Sequence, residues 1–110
     1  MAQVLPIGSR RAKPAAPAHF VRAELVRLLA LYAQRVADGD WRDYAIDQRP
    51  GRAEFSVYRH TLENPLFTIR KCTDAGGERW EVASGPRKLH HAGSLDEVLT
   101  VFQRTLRVAH

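Results

Sequence analysis

The sequence predicts a two-layer α+β domain. Its sheet is an antiparallel meander of four to five strands, flanked by an N-terminal and a C-terminal helix in the order α-β-β-β-β-(β)-α. Three observations predict it. Two segments, one toward each end, repeat apolar residues with the helical period. The segments between them alternate with period 2. The connections are a few residues long and rich in turn formers, which makes sequence neighbours pair antiparallel.

The first helix is expected over about residues 22–38. Leu25, Leu28, Leu29, Tyr32 and Val36 form one stripe at helical spacing, with Arg22, Arg27, Gln34 and Arg35 mostly off it. Gly39 stands where a left-handed residue would end the helix. Four strands follow, with shared faces at Tyr44 and Ile46, at Ala53, Phe55 and Val57, at Phe67 and Ile69, and at Trp80 and Val82. Arg49-Pro50-Gly51, Asn64-Pro65, Asp74-Ala75-Gly76-Gly77 and Gly85-Pro86 separate them. A short fifth strand fits Arg87 to His90. The second helix opens at Ser94-Leu95-Asp96-Glu97, a capping box in which serine oxygen and glutamate satisfy free backbone N–H groups. Leu95, Val98, Leu99, Phe102 and Leu106 place it at about 95–107. Both apolar stripes should pack on one sheet face.

Composition bounds the function. The chain has 110 residues, 45% of them apolar and 26% charged, which fits one soluble globular domain. The longest strictly apolar run, Leu28 to Ala33, is far short of the roughly 20 residues of a membrane-spanning helix. Pro6 breaks the N-terminal apolar run, and Ala12-Lys13-Pro14 follows Arg10-Arg11 where a twin-arginine signal would turn apolar, so no secretory leader is expected. Cys72 is the single cysteine, which removes disulfide frameworks and multi-cysteine zinc sites and fits the cytoplasm. The net charge is +5. Residues 1–18, rich in Pro and Ala, read as a flexible basic tail carrying Arg10, Arg11 and Lys13, with the single domain at 19–110.

The run Phe20, Arg22, Glu24-Leu25, Tyr32 and then Gly39-Asp40-Trp41-Arg42-Asp43-Tyr44-Ala45-Ile46-Asp47 resembles a small bacterial family, domain-of-unknown-function family 2794. Phe55-Ser56-Val57-Tyr58-Arg59, Pro65-Leu66 and the closing leucine-rich helix are similar too, so the resemblance covers roughly residues 20–108. The heptad Trp41 to Asp47 is its specific part. The chain departs in the hairpin Cys72 to Glu78, which is short and Gly-rich. The resemblance implies one compact domain and brings no catalytic residue.

Trp41-Arg42-Asp43-Tyr44 is the most distinctive local feature. It reads as a recognition patch, because Trp, Tyr and Arg dominate binding hot spots, or as a helix-to-strand corner fixed by Trp41. Arg42, Asp43 and Tyr58 complete that candidate interaction patch. Adjacent strand residues diverge, so His90-His91 does not read as a metal site. Cys72 has no catalytic signature around it, although nearby cations would lower its pKa. Asp43, Asp47, Glu54 and Glu81 fall with Arg70, Arg79 and Lys88 on the uncovered sheet face, where cross-strand ion pairs account for them. No phosphate loop or cofactor fingerprint occurs, and no cofactor or metal is expected. Nucleic-acid contact would fall to Arg10, Arg11, Lys13, Arg104 and Arg107. Two readings lead, with an enzyme ranked last because no constellation of residues supports one. One is a non-enzymatic module that binds protein through the Trp41 corner or a sheet edge, with a homodimer among its possibilities. The other is weak nucleic-acid association through the tail and the end of the second helix.

Overall fold

The computed structural model describes residues 19–60 and 64–104. The N-terminal basic residues and Arg107 lie outside them, as does the side chain of Arg104.

Helix α1 spans Arg22–Ala37. Its start is held by Glu24, whose carboxylate accepts the Val21 N–H at 2.8 Å. It ends at Gly39, whose φ of 85° a residue with a Cβ adopts only under strain. Strands β1 (Asp43–Arg49), β2 (Arg52–Tyr58), β3 (Phe67–Asp74), β4 (Gly77–Ser84) and β5 (Arg87–Ala92) follow. They form one open antiparallel sheet in the order of the chain. The fifth strand is present, with a register shift opposite Val82/Ala83. Helix α2 spans Leu95–Arg104. In its capping box the Ser94 hydroxyl accepts the Glu97 N–H at 3.3 Å, and Glu97 reaches back one residue further than expected, to the Gly93 N–H at 3.0 Å.

Both helices cover the face that carries Ala53, Phe55, Val57, Ile69, Trp80 and Val82, all essentially sealed from solvent. α1 crosses this face diagonally. Phe20, just ahead of it, stacks on Trp80 of β4, Glu24 in its first turn pairs with Lys71 of β3 at 2.8 Å, and Tyr32 meets Tyr44 of β1 at 4.8 Å between ring centroids. α2 lies beside it, joined by the Arg27–Asp96 ion pair and by the Arg35 guanidinium, which donates to the Phe102 carbonyl at 2.7 Å.

That neighbour corrects the expected burial of α1. Its buried residues are Leu28, Leu31 and Arg35. The sealed arc is therefore rotated about a quarter turn from the expected stripe. Contact with α2 draws Leu31 and Arg35 inward, and the opposite flank is left bare: Leu29 and Val36 are 36% and 41% exposed. Arg35, expected off the core, is 3% exposed and uses its long stem as an apolar filler.

Candidate interaction surface

The sheet has two edges of different character. β5 is basic, with Arg87 and Lys88, and is irregular at the register shift. Both devices discourage another strand from adding there. β1 has neither. It pairs with β2 in unbroken register over all seven residues, from Asp43↔Tyr58 to Arg49↔Arg52. Three backbone hydrogen bonds fix which way its main chain points. Thr73 N–H donates to Gly51 O at 2.9 Å and Leu66 N–H to Val57 O at 2.8 Å, both on the β3 side of β2. Arg42 N–H donates to Tyr58 O at 2.7 Å on the β1 side. Main-chain groups alternate sides along a strand. Asp43, Ala45, Asp47 and Arg49 therefore bond β2, whereas Tyr44, Ile46 and Gln48 turn theirs outward. Asp43 Oδ1 accepts the outward Tyr44 N–H at 2.8 Å.

The covered face of β1 is itself half open. Tyr44 and Ile46 lie opposite Val57 and Phe55 yet are 40% and 39% exposed, and α2 packs on the other flank of α1, at Arg27 and Arg35. Tyr44 stacks on Phe55, and Tyr32 meets it edge-on. Leu29 and Val36 flank Tyr32 one helical turn to either side. Leu29, Val36, Tyr44 and Ile46 thus form an exposed apolar strip along the β1 edge. Burial beside Asp43 and Tyr44 pushes the Tyr32 hydroxyl above its ordinary pKa, so it stays neutral.

The Trp41 corner is divided between core and surface. Trp41 is 1% exposed, with its ring edge-on to Phe102 at 5.7 Å and tilted against Tyr32 at 6.4 Å. It packs across the end of the sheet, so a partner at this corner would meet its neighbours and not the indole. Arg42 is exposed beside a depression of about 370 Å³ lined by Val36, Gly39 and Trp41. Asp43 and Tyr58 lie opposite each other on the uncovered face. Asp43 thus stands opposite Tyr58, whereas Arg42 meets Tyr58 only through its backbone N–H and its side chain borders the Trp41 depression.

On the uncovered face, register aligns Asp47, Glu54, Arg70, Glu81 and His91 in one row. Arg70 sits between two carboxylates, donating to Glu54 at 2.7 Å and to Glu81 at 2.9 Å. Burial alone would raise the Glu81 carboxyl, but the Arg70 hydrogen bond and the charge of Lys88 outweigh it and hold the group below its ordinary value. At Cys72 the nearby cations do not prevail. Burial, aided by the Glu81 charge, pushes its thiol up despite Arg79, Arg70 and Arg52 nearby. His91 lies opposite Glu81 and His90 opposite Val82, so the two rings face opposite sides of the sheet.

Residues 18–83 match the family described as protein of unknown function (DUF2794). The chain belongs to this family. The DUF2794 match takes in α1, the Trp41 corner, β1 and most of β4, and so contains the whole apolar strip. No curated protein and no solved structure matches the chain. Among the described residues no helix is long and apolar enough to cross a membrane. Nothing in the sequence alone marked the strip, though one signal was present. α1 has apolar residues on two flanks, Leu25/Leu29/Tyr32/Val36 and Leu28/Leu31, which is wider than one sheet face requires.

Proposed function

We propose that this DUF2794 domain is a small non-enzymatic interaction module that binds protein through the β1 edge, with Arg42, Asp43 and Tyr58 at the end of that edge. The observation that carries the reading is the pairing of a regular edge strand, unbroken in register, with an exposed apolar strip. Edge strands present free N–H and C=O groups, and natural domains usually blunt such edges. Apolar residues grouped beside one mark a place where another chain adds by strand pairing. The matched charges of the uncovered face favour this reading over phosphate binding, which needs a net basic surface.

The test is affinity capture from the native host with the full chain and with Ile46→Lys, which charges the middle of the strip. Partners held by wild type and lost by the variant support the module. Identical capture by both refutes it. Retention on heparin to high salt that disappears on deletion of residues 1–18 would transfer the function to nucleic-acid binding.

A further inference from the structure

We propose that the chain bound at the β1 edge is a second copy of this one, joined by antiparallel pairing about a two-fold axis at Ile46. The proposal rests on the interaction-module reading of that edge and adds the identity and register of the partner.

The argument is self-complementarity. The strand reads Asp43-Tyr44-Ala45-Ile46-Asp47-Gln48-Arg49. With Ile46 opposite the partner's Ile46, Tyr44 stands opposite the partner's Gln48, and Asp43 opposite the partner's Arg49. The first two positions join residues whose main-chain groups already point outward, so each becomes a hydrogen-bonded pair. The third joins opposite charges, twice per dimer. Moving the axis to Ala45 sets Asp43 against the partner's Asp47. Moving it to Asp47 sets that carboxylate against its own copy. Like charges directly opposite are destabilising in a sheet. A one-residue slip is worse, since it turns the apolar face of one copy toward the polar face of the other. The Ile46-centred register thus pairs the charges, avoids like-charge opposition, and keeps Tyr44 and Ile46 on one face.

The groups concerned are otherwise held within a single copy. Asp43 caps the Tyr44 N–H at 2.8 Å, and Arg49 bonds Asp47 at 2.8 Å. On pairing, the carbonyl of the partner's Gln48 takes over the Tyr44 N–H and frees the Asp43 carboxylate for the partner's Arg49. On the helix side, the exposed Leu29 and Val36 add apolar surface next to the joined strands.

The experiment is sedimentation of the full chain across micromolar concentrations. Wild type is expected to dimerise. Ile46→Lys places two cations opposite each other in place of two apolar side chains and should weaken the dimer about a hundredfold. Asp43→Arg alone and Arg49→Asp alone each convert both ion pairs to repulsions and should weaken it about tenfold. An equimolar mixture of those two single variants restores both pairs in a heterodimer and should sediment like wild type. This rescue is specific to the proposed register and could not come from misfolded protein. A wild type that stays monomeric overturns the self-pairing. So does an Ile46→Lys variant that dimerises as tightly as wild type, or a mixture without rescue. If self-pairing fails while Ile46→Lys still abolishes capture of other chains, only the identity of the partner is wrong. If capture is also unaffected, the interaction reading falls with it.

Discussion

Trp41→Ala should destabilise the domain severely. The indole is 1% exposed and wedged between Tyr32 and Phe102, at the joint where α1 gives way to β1. Truncating a buried Trp to Ala typically costs about 3–5 kcal/mol. An independent route agrees: a Trp buries about 150–250 Å², worth roughly 4–6 kcal/mol at 25 cal/mol per Å². A small domain has only about 5–15 kcal/mol in total. Each kcal/mol shifts the melting temperature of a domain this size by about 4–8 °C. The variant should therefore melt at least about 12 °C lower, or fail to fold at ordinary temperature. Trp41→Phe keeps an edge-on ring against Phe102 and should cost about half as much or less. Arg42→Ala, on the exposed neighbour, should change stability by less than about 0.5 kcal/mol. The assay is thermal and urea unfolding followed by circular dichroism. A fall of under about 5 °C for Trp41→Ala, equal to that of Arg42→Ala, would refute the buried wedge and return Trp41 to the surface as a contact residue.

Other expectations follow from the same contacts. The Glu81 carboxyl lies below its ordinary value in the folded chain, so its contribution to stability is complete above the unfolded pKa near 4.5 and is lost as pH falls through the folded value. The wild-type urea midpoint should therefore drop more between about pH 5 and about pH 3 than that of Glu81→Gln, and parallel drops would discount the Arg70 contact. Arg35→Met keeps the apolar stem but removes the donor to Phe102 O, and it should cost about 2 kcal/mol in urea unfolding. An unchanged or raised midpoint would mean that burying the guanidinium cancels its hydrogen bond. With its pKa raised by burial, Cys72 should be alkylated by iodoacetamide more slowly than an unstructured cysteine peptide at neutral pH. A faster reaction would contradict the burial of the thiol.

Much of this fold is written in local pattern. Period-2 alternation located the faces of β2, β3 and β4, and Gly39 and the Ser94–Glu97 box marked helix ends, because each depends on residues within a turn or two. The failures are tertiary. Whether Leu31 or Leu29 is buried depends on where α2 lies, and α2 is some sixty residues away in sequence. Arg35 reads as a surface cation until the Phe102 carbonyl is placed beside it. Trp41-Arg42-Asp43-Tyr44 was legible as a special segment, but its division into one core and three surface residues was not. Adjacent residues at a chain corner do not follow a simple alternation. The apolar strip was hidden for a further reason: periodicity finds apolar faces but does not reveal which of them the fold leaves uncovered.

The unequal edges of the sheet also set a limit on growth. A head-to-tail contact would join β1 of one molecule to β5 of the next and extend without end, as filaments do. The irregular, cationic β5 obstructs that arrangement. Contact through β1 on both molecules is isologous and consumes the open edge of each. The ten-stranded sheet it makes is bounded by a β5 at either margin. Pairing of two copies through β1, as proposed above, would therefore close at two, and a single open edge would serve it without the hazard of polymerisation.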